Sequence, residues 1–386
     1  MKKKLSALLP SLALLLCLCA CGSTTDSAER NEQAAAGTDD AQTLKVGFIC
    51  AGDRDDLSYT YNFVRGRNDA SVMLAAEGIN IEWVDRWNVG EDSTCEDANR
   101  ELAGAGCTLI FNNAPGFEAF MLNVAPEYPD VAFVSCGGSA SRADELPNTH
   151  NAYANIHEGR YLAGVVAGLK LQELIDGGAI APEEAVIGYV GALDCAEVVS
   201  AYTAYYLGAR SVCPGATMKV RFTGAWSDAD AEQSTAAALA AMGCRVISQH
   251  SGNLSLASAA QDAGVLHTGY NNDMTALAPR ASLVSTRIDW SVYFEHAIRA
   301  VLGGGELEQD WCHGLDLRAV ELTPLNRDLI ADGTDETLDE RKAALADGTL
   351  QVFDTSTFTV DGAPLEQAYA LDTDNVDGIE KLFQST

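Results

Sequence analysis

Residues 45–50 read KVGFIC, and residues 51–58 after them read AGDRDDLS. A short, nearly unbroken apolar run that ends in a polar turn is the mark of a strand covered on both faces, as in a parallel sheet. The pattern recurs at 79–84 (INIEWV), 107–111 (CTLIF), 131–136 (VAFVSC), 185–190 (AVIGYV), 218–222 (MKVRF), 245–249 (RVISQ) and 265–270 (VLHTGY). Helical stretches lie between the strands. One opens at Ser227-Asp228-Ala229-Asp230, where a small polar cap and acids suit the positive end of a helix dipole, and stops at Gly243. Another covers 290–302 and ends in Gly303-Gly304-Gly305. Strand–helix alternation of this kind implies a doubly wound α/β architecture. Two such blocks are expected, roughly 43–153 and 157–285, with more strand-like sequence at 318–322 and 350–360.

Open parallel sheets bind ligands at the loops leaving the carboxyl ends of their strands. Those loops are 51–58, 112–117, 191–197, 250–254 and 271–275, and two facing lobes would gather them around one cleft. Asp53, Asp55, Asp56, Asp194, Glu197 and Asp273 dominate them, and Arg54 is their sole basic residue. A phosphate or carboxylate ligand would call for Arg, Lys or a glycine-rich helix start. Carboxylates only accept hydrogen bonds, so they suit ring N–H, amino and hydroxyl donors. Tyr59, Tyr61, Phe63, Phe117 and Trp290 offer flat faces for stacking. A neutral, donor-bearing heterocycle fits this set; the bland alternative is the ordinary acidic surface of an acidic protein.

That acidity runs through the whole chain. Its 386 residues carry 55 acids against 25 bases, a net charge of −30. Such a surface excludes nucleic acid and anionic lipid as partners bound through charge. The start reads Met1-Lys2-Lys3-Lys4, an apolar run, then Leu18-Cys19-Ala20-Cys21-Gly22-Ser23. This is a secretory signal over 1–20 followed by a lipobox with Cys21 as the lipid-accepting residue; an ordinary signal peptide with incidental cysteines is the alternative. Residues 21–42 hold almost no large apolar side chain and read as a flexible tether. The roughly 340 residues beyond it exceed one typical core and suggest two lobes. Eight further cysteines show no CxxC pair and no zinc spacing, so most read as buried thiols, with disulfides left open. No nucleophile elbow, P-loop or His-Glu-x-x-His motif occurs, which argues against an enzyme and against a metal or other cofactor. His267 reads as a core residue and His250, at a strand end, as a residue within reach of a ligand.

From about Leu44 to Asp361 the chain resembles the basic membrane protein family, substrate-binding lipoproteins related to purine nucleoside receptors. The resemblance rests on Gly159-Arg160-Tyr161-Leu162-Ala163-Gly164, on Tyr206-Leu207-Gly208-Ala209-Arg210, on Trp226-Ser227-Asp228, on Gly269-Tyr270-Asn271-Asn272-Asp273-Met274, and on the segment from Gly303 to Leu317. It implies a type I periplasmic-binding-protein fold, two doubly wound Rossmann-like lobes joined by three crossings. The N-terminal lobe would take 43–155 with about 287–312, and the C-terminal lobe 156–286 with about 313–386. A monomeric receptor, lipid-anchored on the outer face of the cytoplasmic membrane, would pass a purine nucleoside or base to the permease of an ABC importer. Tyr59 would stack on the base, and Asp56 and Asp273 would accept its hydrogen bonds. Glu197 matches the acid that opens a helix of the second lobe, where its alternative role is to partner the helix dipole. Gly252 and Asn253 fall where the family's strand-end loop meets the ligand. Asp289 falls at or near a lysine of the nucleoside-binding branch, a departure that leaves the solute open. Trp226 reads as packing. Another small solute, or a sensory lipoprotein serving a signalling partner, are the competing functions.

Overall fold

The computed structural model describes residues 42–137, 146–354, 359–360 and 363–364. Cys21, the signal segment and all but the last residue of the tether lie outside these residues.

The first sheet contains β1 (Gln42–Ile49), β2 (Ile79–Arg86), β3 (Leu109–Asn112), β4 (Ala132–Cys136), β5 (Thr149–Ala154) and β11 (Asp310–His313). Their order across the sheet is β11-β5-β4-β3-β1-β2, all parallel. The second sheet contains β6 (Val186–Gly191), β7 (Thr217–Phe222), β8 (Val246–His250), β9 (Leu266–Tyr270), β10 (Ser282–Ile288) and β12 (Val320–Leu322). Its order is β12-β10-β9-β8-β6-β7, parallel except for the antiparallel β10–β12 pair. A short pair, β13 (Thr359–Val360) with β14 (Ala363–Pro364), follows. Residues 350–354, expected to be strand-like, form no strand.

The apolar runs are continuous because both faces of each sheet are covered. Val46 and Phe48 of β1 point into a core with Phe63 and Leu74 of helix α1 (Tyr59–Ala75) and with Trp290 and Phe294 of helix α8 (Trp290–Leu302). Ile49 and Ile110 point the other way, against Leu102 of α2 (Ser93–Gly104) and Met121 of α3 (Glu118–Val124). In the second lobe Ile187 and Val246 meet α4 (Ile156–Asp176), α5 (Ala196–Val212) and α9 (Thr334–Ala346). Val190 and Ile247 meet α6 (Ala229–Ala241) and α7 (Ser255–Asp262). Helix α6 starts where Asp228 accepts from the Ala231 N–H at 2.9 Å, the cap legible in the sequence.

The tightest helix contact is α4 against α5. A Cβ on Gly164 would lie 2.0 Å from the Tyr205 carbonyl oxygen, and one on Gly208 2.0 Å from that of Tyr161. These glycines belong to two of the motifs quoted above, and close approach of two backbones is what they are for.

The chain passes between the lobes three times, after β5, after β10 and after β11. The crossings are tied together. The Asn155 N–H donates to His313 O at 2.9 Å, the Asp289 N–H to Ala319 O at 2.8 Å, and the Leu315 N–H to the Glu158 carboxylate at 2.7 Å. The architecture is the α/β type I fold, with two doubly wound lobes and three crossings. Of the described cysteines, Cys50, Cys95, Cys107, Cys136, Cys213 and Cys244 are buried free thiols and Cys195 is a half-buried one.

Candidate functional site

The carboxyl ends of strands from both sheets face one cavity of about 390 Å³. The first lobe supplies Ala51, Asp56 to Tyr59, Ala114, Pro115, Gly137 and Tyr153; the second supplies Glu197, Trp226 and Ser227, His250 to Leu254, and Tyr270 with Asn271. Ile288 and Trp290 close it at the second crossing, and among the described residues no lysine or arginine lines it. A smaller space of about 210 Å³ continues past Glu197 toward Cys195, Ala196 and Ser200.

Aromatic faces are held in place from behind. The Tyr59 hydroxyl donates to Asn113 O at 2.7 Å, and burial pushes its pKa well up, so it stays a donor. Trp290 is stacked on Phe63 with ring centroids 4.2 Å apart at 21°. Tyr270 sits between His250, 4.6 Å away, and the Arg160 guanidinium, 3.9 Å from its ring centroid. That buried guanidinium donates to Gln249 O at 2.9 Å, beneath the cavity floor.

Glu197 is the charged centre of the site. Burial pushes its carboxyl pKa upward, but bonds from His250 and Tyr153 and the nearby Arg160 charge outweigh that and hold it below the usual value. His250 Nε2 lies 3.1 Å from the Glu197 oxygen, while burial and Arg160 lower the imidazole pKa. The pair is therefore a carboxylate facing a neutral ring that donates from Nε2, with Nδ1 left as an acceptor. Tyr153 comes from the first lobe and Glu197 from the second, so the two face one another across the cleft.

Of the residues expected at the site, Asp56, Tyr59, Glu197, Gly252 and Asn253 line the cavity. Their side chains are partly committed. Asp56 accepts from the N–H groups of Ser58 (2.9 Å), Thr60 (3.0 Å) and Tyr61 (2.8 Å), and so caps α1. Asn253 Oδ1 accepts from the Ser255 N–H at 2.8 Å, which leaves its amide nitrogen for the cavity.

Three expected residues lie elsewhere. Phe117 ends a short helical turn, Pro115–Phe117, and is fully buried with Ile49 and Leu102; Ala114 and Pro115 before it reach the cavity instead. Asp273 is exposed and accepts from the Thr275 N–H (2.9 Å) and hydroxyl (2.6 Å). Asp289 caps α8 by accepting from the Ser291 N–H (3.1 Å) and hydroxyl (2.7 Å). Both acids spend an oxygen on their own turn.

Several lining residues went unread. Tyr153 lies on β5, whose sequence THNAYA has too few large apolar residues to read as a strand. Tyr270 and Asn271 stood within a quoted motif but beside the acid that drew attention. Trp226, expected to pack, is 46% exposed at the cavity mouth. His250, raised as a ligand neighbour, is there.

Comparison with known proteins adds a family. Residues 43–350 match the model for ABC transporter substrate-binding proteins that are PnrA-like. A purine-binding protein of Brucella abortus is 30% identical over 81% of this chain and 83% of its own length. A protein of Haloferax volcanii named as the glucose-binding component of an ABC transporter is 29% identical over 75% of this chain and 69% of its own. The solved solute-binding protein of an ABC transporter system from Conexibacter woesei superposes with a TM-score of 0.65 at 23% identity, over 80% of this chain and 98% of that one.

Proposed function

The chain belongs to the PnrA-like family of ABC transporter substrate-binding proteins, and on that premise we propose that its cavity captures a purine nucleoside or nucleobase for a permease. The observation that carries the reading is the lining. Tyr59, Tyr153, Trp226, Tyr270 and Trp290 offer aromatic faces, Asp56, Glu91 and Glu197 are acids, and no cation stands among the described lining residues. A purine presents a flat face for stacking and N–H groups for a carboxylate. The volume lies within the usual range for a small-ligand pocket. The purine-binding relative from Brucella abortus supports the same solute.

In this reading Tyr59 and Trp290 are the stacking surfaces, Glu197 accepts from the ring or amino group, and Asn253 donates through its amide. Binding lowers the free energy of the closed form, and closure is what the permease recognises. Cys21 carries the lipid that keeps the receptor on the outer face of the membrane; a Cys21→Ser chain should appear in the culture medium, and retention in the membrane fraction would overturn the anchor. The reading assigns no reaction to the site. A second solute class, a sugar, is favoured by the Haloferax relative.

The test is a thermal-shift titration of the processed chain with guanosine, adenosine, guanine and glucose. A ligand at a hundred times its Kd stabilises the folded state by about 2.7 kcal/mol. We expect a rise in Tm with the purines. A rise with glucose and none with any purine would replace the purine by a sugar.

A further inference from the structure

Two hydrogen bonds cross from lobe to lobe at the cavity rim. The Ser58 hydroxyl donates to the Gly252 carbonyl, and the Asn272 amide donates to the Leu57 carbonyl. Several features of the surrounding backbone serve these contacts. Ser58 is the N-cap residue of α1, a position where a serine hydroxyl ordinarily accepts from the helix's own N–H groups. Here it makes no such bond, and Asp56 takes over the Thr60 and Tyr61 N–H groups. The turns at 92–94, 273–275 and 289–291 show the ordinary arrangement, with the hydroxyl two residues after the aspartate donating back to it. At 56–58 the main-chain bond forms in the same way, but the hydroxyl points across the cleft.

The backbone on both sides is shaped to match. Leu57 has φ 52° and Asn271 φ 65°, both in the left-handed region that a leucine rarely adopts. Gly252 completes the fit, since a Cβ there would lie 3.1 Å from Ser58 Oγ. Asn272 itself does not line the cavity.

The geometry points to a latch: Asn272, outside the cavity lining, and Ser58, at its edge, are positioning residues that hold the lobes together over a bound solute. The inference rests on the reading that the cavity takes a ligand. It separates retention from recognition. The other residues facing the cavity decide what binds, and the latch decides how long it stays.

Stopped-flow release of guanosine reads this directly. Loss of one such bond should speed release about five-fold in N272A and in S58A, since a net hydrogen bond contributes about 1 kcal/mol. In N272A, whose side chain is not part of the cavity lining, the association rate and the Tm of the ligand-free protein should not change, and S58T should release at the wild-type rate. Independently of any ligand, the Cβ position at Gly252 lies close enough to Ser58 for a Ser58→Cys, Gly252→Cys pair to close a disulfide on oxidation, read by peptide mass. Wild-type release from N272A, or failure of the pair to cross-link, would overturn the latch. If the pair cross-links and wild type binds neither guanosine, inosine nor adenine, the purine reading falls and the latch stands.

Discussion

Asp56 shows how far a residue type can be trusted in a loop. Its acidity and its place after β1 brought it to the cavity edge, as expected, yet three N–H groups of the α1 start occupy its oxygens. Replacing it with alanine should cost about 1–2 kcal/mol in urea unfolding, the usual loss of a helix cap; unchanged stability would show that the cap is idle. Glu197 is the opposite case, a buried carboxylate whose bond to His250 leaves lone pairs for a ligand. Glu197→Gln should weaken purine binding by about 1.5–3 kcal/mol in calorimetry, the range for a hydrogen bond to a charged group. Wild-type affinity would take Glu197 out of the site. Asp273 and Asp289 mark the limit of reading by residue type. The sequence carries a signal that separates them from Glu197: an aspartate followed two residues later by Ser or Thr tends to bond its own turn. Asp273-Met274-Thr275 and Asp289-Trp290-Ser291 both have that form, and both acids turn inward to their own backbone. Phe117 offered no such warning, because the direction of its ring depends on the helical turn that precedes it.

Among the elements, strands with Val, Ile and Phe on both faces were legible, and β5 was not. Its buried residues are Thr149, His150, Asn151, Ala152, Tyr153 and Ala154, and polar side chains there bond across to the β11 segment, as Asn151 Nδ2 does to Asp310 at 2.7 Å. Tertiary partners, absent from any local pattern, make that stretch a strand. Helix α4 packs so closely on α5 that no side chain fits between them at Gly164 and Gly208. Gly208→Ala should destabilise the second lobe by about 1–3 kcal/mol, because the obstacle is the Tyr161 backbone carbonyl, which cannot swing away. Normal stability in that variant would mean that the two helices slide apart freely.

The start of α4 also carries the tie to the third crossing. Burial pushes the Glu158 carboxyl pKa up to about 7, with the nearby Asp316 charge adding to the rise and the Leu315 N–H opposing it. A carboxyl raised from 4.5 to about 7 on folding stabilises the native state fully below pH 4.5, and that contribution is lost as the pH rises through 7. Replacing Glu158 with glutamine should therefore flatten the fall in unfolding free energy across that window. An equally steep fall in the variant would assign it to other groups.

At the scale of the whole molecule, the two parallel sheets share one design and differ in one strand, the antiparallel β12 at the edge of the second. Strand alternation predicted the doubly wound lobes, and the pairing of their carboxyl edges follows from the fold. Main-chain bonds tie the three crossings to one another. Of the latch residues, Ser58 stands at the edge of the cavity and Asn272 outside its lining. A receptor built this way gains affinity from both lobes only when the cleft is shut, so ligand chemistry and closure are measured together in any equilibrium experiment.

The most direct measurement is isothermal calorimetry of the processed chain against guanosine and adenosine, with glucose in parallel and Tyr59→Ala as the control. Base–aromatic stacking contributes about 1–3 kcal/mol. The account predicts saturable one-to-one binding of a purine, weakened by that amount in the control, and no heat from glucose. Silence with every purine alongside saturable binding of glucose would contradict it.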